Sequence, residues 1–287
     1  EDIPYTSIQF AKNNPVSLEV GAHHTMQLVT EPFNATDHRI NWSSSNKSAA
    51  SVDENGTVTA LRPIESVDIT AVCKANPALR CTWNFKITRT KGYITKQTLD
   101  NLDLTAIKNV MITAHPDDET LWGGGHLLEG EYLVVCMTHG WNEKRRTAFE
   151  QTMRSTNDKY LILDYPDVRK TLAGGKYETD LLSTCKNAMK EDIKQVLTYK
   201  KWNIIATHNP SGEYGKFLHQ QISKMVSESY NKNTDKSAGN IPGPQLSPEI
   251  LTIKKTLVNR YYPTAKGAID AFGQMIPYEN WLLPSEW

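Results

Sequence analysis

The sequence predicts two domains of different class: an all-β antiparallel sandwich over residues 1–90 and an α/β domain with a mostly parallel sheet over residues 106–287, joined by a linker at 91–105. Three observations carry this. Short apolar-alternating runs separated by turn residues recur from Val16 to Ile87. From Lys108 onward, β-branched apolar runs alternate with longer segments of helical period. Between the two regions the chain turns polar, with Lys91-Gly92 and only Leu99, Leu102 and Leu104 as an apolar face.

The bulk numbers agree with this. A chain of 287 residues, 39% apolar and 22% charged, is long enough for two ordinary globular domains with real cores. Its 32 basic and 32 acidic side chains cancel, so no overall field favours nucleic acid or an anionic membrane. No apolar run approaches the ~20 residues of a membrane span. The chain opens on Glu1-Asp2 rather than methionine, which suggests a mature or trimmed form.

In the first domain the strand-like runs fall at 17–20, 26–30, 40–42, 57–60, 67–72 and 83–87. Asn55-Gly56 between two of them is a hairpin turn, since both residues tolerate positive φ. Cys73 and Cys81 flank the loop residues Asn76-Pro77, and a disulfide stapling that hairpin would imply an oxidising compartment. Cys136, in an apolar run, and Cys185, on a helical face, read as buried thiols. The words Val20-Gly21, Gln27-Leu28, Asn41-Trp42-Ser43-Ser44-Ser45-Asn46 and Val52-Asp53-Glu54-Asn55-Gly56-Thr57-Val58-Thr59-Ala60 resemble the bacterial immunoglobulin-like group 2 (BIG2) domain. That resemblance implies a secreted or surface-displayed bacterial protein in which the immunoglobulin-like sandwich is a spacer or anchor, with Trp42 in its core. The sequons at Asn34, Asn41, Asn46 and Asn55 read as coincidence in an Asn- and Ser-rich module.

In the second domain strands are predicted at 108–113, 132–138, 160–163 and 203–207. Before the last of them, Leu181, Leu182, Cys185, Met189, Ile193, Val196 and Leu197 fall on one helical stripe; after it, Leu218, Ile222, Met225 and Val226 form another. Such alternation argues a mostly parallel, Rossmann-like sheet with helices on both faces.

The chemistry is concentrated at Ala114-His115-Pro116-Asp117-Asp118-Glu119, released from the first of these strands and followed by Gly123-Gly124-Gly125. In open α/β sheets the carboxyl edge is where ligands bind. Carboxylates crowded there repel one another, and a divalent cation gripped by the histidine and a carboxylate three residues on relieves this. A helix cap would need one Asp and leave His115 unexplained. The fourth strand releases a second polar loop with two histidines, so His208 or His219 is the third ligand.

Ala-His-Pro-Asp-Asp-Glu after a strand, Thr138-His139-Gly140, and Gly212-Glu213-Tyr214-Gly215 with a histidine four residues on resemble the LmbE/PIG-L family of zinc-dependent N-acetylglucosaminyl deacetylases, over about 108–275. The resemblance implies Zn2+ or a related divalent metal on His115, Asp118 and His219, with Asp117 as general base. It implies removal of an acetyl group from an N-acetylated amino sugar or a glycan bearing one. Arg146, His139 and Tyr214 are then expected to border the substrate. One departure stands out: Lys216 occupies the place where the family carries a histidine that stabilises the oxyanion or protonates the leaving amine. Lysine supplies charge but is a poorer proton donor, so the alternative is a catalytically weakened, metal-containing carbohydrate-binding surface protein. Arg146 and Glu150 also have the spacing of a helical surface ion pair. Tyr261-Tyr262-Pro263, Lys266 and residues 270–274 resemble the family's closing segment, and residues 170–176 and 232–248 are expected to shape the substrate pocket, the latter as a flap.

Overall fold

The computed structural model describes residues 3–167, 179–230 and 246–262. Residues 170–176, nearly all of 232–248 and the closing segment from 263 onward lie outside this set, and so do the expectations placed on them. The chain divides into two compact units, Glu1–Thr90 with Thr171–Cys185 and Lys91–Lys170 with Lys186–Trp287.

The N-terminal part of the first unit, up to Thr90, is all-β. Its strands are β1 (Ser7–Phe10), β2 (Ser17–Glu19), β3 (His23–Thr25), β4 (Leu28–Glu31), β5 (Ile40–Ser44), β6 (Ala50–Val52), β7 (Thr57–Ala60), β8 (Ile64–Cys73) and β9 (Arg80–Thr88). They form sheets ordered β2-β9-β8-β5, β3-β7-β6 and β1-β4. Alternate residues of β8, namely Val67, Ile69, Ala71 and Cys73, are buried, as period two requires of a half-buried strand. Val67, Ile69 and Ala71 share one core with Phe85 and Ile87 of β9 and with Ala50, Val58 and Ala60 from the three-stranded sheet. Trp42 packs on this core. At the β6–β7 turn only Gly56 has positive φ (77°), and Asp53 Oδ1 accepts the N–H groups of Asn55 and Thr57. A Cβ on Gly56 would lie 2.5 Å from the Trp42 ring, so glycine is required there twice over.

The structure leaves Cys73 and Cys81 as free thiols, contrary to the expected staple. The β8–β9 register explains this: Cys81 is paired with Ala71, two residues before Cys73. Such diagonal neighbours lie about 7–8 Å apart, beyond the usual reach of a disulfide.

The second unit carries α1 (Lys96–Asp100), β10 (Asn109–Thr113), α2 (Asp118–Glu129), β11 (Tyr132–Thr138), α3 (Glu143–Thr156), β12 (Lys159–Tyr165), the greater part of α4 (Thr179–Tyr199), β13 (Ile204–Thr207), α5 (Gly212–Gly215), α6 (Phe217–Tyr230) and α7 (Pro248–Tyr261). The stretch read as a linker groups with this unit from Lys91 onward. Ile94, Leu99 and Leu104 are buried, and the N–H groups of Tyr93 and Ile94 donate to the buried carboxylate of Asp192.

All pairings in the sheet are parallel, in the order β12-β11-β10-β13. β11 is buried at every position, which accounts for its unbroken apolar run. The chain builds outward from β10 to β11 and β12, then returns to add β13 on the other side of β10. The connections therefore reverse between β10 and β13, and a crevice outside the carboxyl ends of such neighbours is where α/β sheets bind ligands.

Candidate metal centre

Both polar loops open at that reversal. His115 follows β10 and His208 follows β13. His115, Asp118, Glu119, His139, His208 and His219 are all buried, a density of buried titratable groups that needs mutual satisfaction or a ligand.

Asp117 stands at the N-cap of α2, yet its side chain makes no capping bond and its φ is 117°. For a non-glycine residue this is strained. The neighbours hold it: Glu119 Oε2 accepts the Asp117 N–H at 3.0 Å, and Glu119 Oε1 accepts the hydroxyls of Thr120 (2.8 Å) and Tyr262 (2.6 Å). Asp118 Oδ2 turns back to accept the His115 N–H at 2.8 Å.

Three donor atoms converge. Asp118 Oδ2 lies 3.1 Å from His115 Nδ1 and 3.3 Å from His219 Nε2, and the two nitrogens are 3.1 Å apart. Ligands at about 2.0–2.1 Å from a tetrahedral zinc ion are separated by about 3.3 Å, close to these edges. Two imidazoles and a carboxylate are also a donor set suited to zinc.

His208 is engaged by hydrogen bonds at both ring nitrogens. Its Nε2 accepts the Ala114 N–H at 2.8 Å, so its proton sits on Nδ1, which donates to Glu213 Oε2 at 3.2 Å. Neither nitrogen keeps a free lone pair, and of the two histidines left open by the sequence it is His219 that faces His115 and Asp118.

The buried charges of the cluster shift one another strongly. Burial alone would push His219 down, but Asp118 and Glu213 overcome it and lift the imidazole to about 9. Burial would raise Asp118, yet His219, His208 and His115 hold it well below the usual carboxylate range. Glu213 is lowered to about 2 because His208 and His219 outweigh its burial. Asp117 goes the other way, raised to about 6 by burial and by Asp118 against the opposing charges of Arg145, His115 and Lys216. Two adjacent carboxylates are thus split into one that stays ionised and one that can exchange a proton near neutrality.

Around this cluster, His139 sits at the end of β11 with φ 69°, its ring 5.8 Å from that of His115. Asp167 bridges the two, 2.9 Å from His115 Nε2 and 3.3 Å from His139 Nε2. Tyr214 is exposed at the rim, its ring 5.8 Å from His219 and 6.4 Å from Trp122. Trp141, 39% exposed, flanks His139 at 6.2 Å. Lys216 is half-buried, and its charge reaches Asp117.

Arg146, expected to border the substrate, instead donates to Gly140 O at 2.8 Å and lies 3.9 Å from Glu150. One residue earlier on α3, Arg145 reaches the site: its guanidinium donates to Pro116 O at 2.7 Å and lies 3.4 Å from Asp117 Oδ2. A helix advances about 100° per residue, so adjacent arginines face different ways. Arg145 and Asp167 reach these places through the fold, Asp167 lying 52 residues from His115, whereas Glu213 sits in the Gly212-Glu213-Tyr214-Gly215 motif, within six residues of both imidazoles it meets.

Fold and cluster together define an α/β unit with a histidine- and carboxylate-lined centre at the reversal point of a parallel sheet, in one chain with an all-β domain. Comparison with known proteins adds the following. Residues 4–83 match the bacterial Ig-like domain (group 2), so the all-β domain is Ig-like. Over 134 residues the chain is 29% identical to an uncharacterized protein of Acanthamoeba polyphaga mimivirus, covering 41% of this chain and 55% of that one. Over 84 residues it is 37% identical to an uncharacterized protein of Clostridium acetobutylicum, covering 29% of this chain and 8% of that one. The chain thus spans about half of the first relative and a small part of the second. Among solved structures, invasin, a bacterial integrin-binding protein, is similar at 24% identity and a TM-score of 0.23, covering 29% of this chain and 19% of that one. A bacterial Ig-like domain containing GH10 xylanase from termite gut is similar at 15% identity and a TM-score of 0.20, covering 76% and 58%. No helix among the described residues is long and apolar enough to cross a membrane.

Proposed function

We propose that this chain is a metal-dependent hydrolase that removes the N-acetyl group from an N-acetylated amino sugar of the N-acetylglucosamine type, free or within a glycan, as the LmbE/PIG-L deacetylases that its motifs resemble do. The observation that carries the reading is the convergence of His115 Nδ1, Asp118 Oδ2 and His219 Nε2 within 3.3 Å of one another, with Asp117 beside them.

Zinc, or another divalent cation held by these three side chains, would supply Lewis acidity and lower the pKa of a water molecule toward neutrality. The remaining steps belong to the chain. Asp117, ionised above about pH 6, takes a proton from the attacking water as its oxygen bonds to the acetamide carbon. Asp118, held ionised by the imidazoles, does not compete for that proton. Lys216, whose charge reaches Asp117, faces the negative charge developing on the carbonyl oxygen. The C–N bond then breaks and the proton passes from Asp117 to the departing nitrogen, giving acetate and a free amine. Arg145, 3.4 Å from Asp117 Oδ2, orients the base. Exposed Trp141 and Tyr214 offer aromatic faces for a sugar ring at the rim.

The Ig-like domain supports an extracellular setting, secreted or at a bacterial cell surface, with that domain as spacer or anchor. The test is an acetate-release screen of the zinc-loaded protein over N-acetylhexosamine glycans. Release that is lost in Asp117→Asn supports the reading, and no release from any of them overturns it. A second reading follows from Lys216: sugar binding without turnover, unchanged by Asp117→Asn, would make the chain a metal-containing carbohydrate-binding protein.

A further inference from the structure

Glu213 sits where its backbone conformation is unfavourable. Its φ of 57° and ψ of −71° lie in a region that side chains rarely adopt, between Gly212 (φ 68°) and Gly215 (φ 87°). Of the three positive-φ positions in this loop, one is nevertheless not glycine. A reciprocal clasp holds it there. The Glu213 N–H donates to Asn209 Oδ1 at 3.1 Å, and the Asn209 N–H donates to Glu213 Oε1 at 3.0 Å.

The clasp leaves Oε2 for the two imidazoles. His219 Nδ1 lies 2.6 Å from it and His208 Nδ1 3.2 Å. An ionised carboxylate only accepts, so both Nδ1 atoms carry protons and donate. With its proton on Nδ1, a neutral His219 has its lone pair on Nε2, the atom 3.3 Å from Asp118 Oδ2 and 3.1 Å from His115 Nδ1. His208 keeps the ring from turning: anchored through Nε2 by the Ala114 amide, it stacks on His219 with centroids 3.8 Å apart. Asp167 stands in the same relation to His115, accepting from Nε2 at 2.9 Å and leaving Nδ1 toward the shared point.

We propose that Glu213 is the positioning residue of the third metal ligand: its carboxylate keeps the His219 proton on Nδ1 and so aims Nε2 at the point shared with His115 and Asp118. This rests on the metal-centre reading above. Carboxylates in this relation to a ligating histidine typically change metal affinity by 10- to 100-fold.

The experiment measures Zn2+ affinity, by competition with a chromophoric chelator, and the visible spectrum of the Co2+-loaded protein for wild type, Glu213→Gln and Glu213→Ala. Melting in chelator controls for folding. Glu213→Ala should bind zinc about 100-fold more weakly. Glu213→Gln, which keeps an oxygen to accept from Nδ1 but loses the charge, should lose about tenfold with its metal-free melting temperature near that of wild type. In zinc-loaded wild type, 15N NMR should find the His219 proton on Nδ1; a proton on Nε2 overturns the proposal. Wild type that binds zinc tightly, with both variants within threefold of it and unchanged Co2+ spectra, overturns the proposal and leaves the metal centre standing. Wild type that binds neither ion overturns both.

Discussion

In metal-free protein, His219 is lifted from 6.5 to about 9 because the charges of Asp118 and Glu213 overcome its burial. A raised imidazole pKa contributes stability that is complete below the unfolded value and is lost as pH rises through the folded one. The shift of about 2.5 units corresponds to about 3 kcal/mol at 1.36 kcal/mol per unit. Melting in chelator should therefore fall steadily between pH 7.5 and 9. The raised carboxylates do not confound this window, since Asp117 and Asp158 at about 6 and Glu119 at about 7 are already mostly ionised there. A cation must displace the same proton, so zinc affinity should rise about tenfold per pH unit, or about thirtyfold from pH 7 to 8.5, equivalent to about 2 kcal/mol. Competition titrations at fixed ionic strength measure this, with about one proton released into weak buffer per zinc bound. Zinc-loaded protein should show little of the fall in melting temperature. A flat affinity profile, or identical pH-dependence of melting with and without zinc, would refute the assignment of His219 as a ligand.

The other predictions are single substitutions. Asp117→Asn should keep zinc within a few-fold and lower turnover by about 10²–10⁴, as loss of a general base does; equilibrium metal analysis and acetate release check both halves. Lys216→Ala should lower the rate while sparing ground-state sugar affinity, read as a fall in kcat with little change in KM, and Lys216→His restoring or raising the rate would identify the role that the position fills. Gly56→Ala should destabilise the Ig-like domain by about 2–4 kcal/mol in denaturant titration, from left-handed strain plus overpacking, because the new Cβ meets Trp42 at 2.5 Å with φ held at 77°. Asp158, raised to about 6 by burial while it accepts the Tyr132 N–H, should make the chain more stable as pH falls from 7 toward 4. Asp158→Asn should remove Asp158's share of that dependence, leaving those of Asp117 and Glu119, and raise stability at pH 8 by about 3 kcal/mol.

Much of the fold was legible locally. Alternation in residues 67–72 and the apolar run 132–138 are backbone-scale signals, and the strands observed there, Ile64–Cys73 and Tyr132–Thr138, span them. The pairing of His115 with Asp118 was legible too, because three residues of one turn bring a ring and a carboxylate together whatever the rest of the chain does. Register was not. Cys73 and Cys81 look like a staple until β8 and β9 are aligned and the pair becomes diagonal. The polar segment after Thr90 read as a linker because its anchor, Asp192, lies about a hundred residues away in sequence.

The sequence by itself determined the class of each domain and half of the candidate cluster, since periodicity and one-turn motifs depend on neighbours a few residues apart. Tertiary structure alone set His219 rather than His208 closest to His115, placed Arg145 rather than Arg146 beside Asp117, and brought Asp167 to His115. Each of those choices depends on which nitrogen is already bonded and which way a helix faces. His208 is spent on the amide of Ala114, 94 residues earlier, and that bond exists only because β10 and β13 lie side by side.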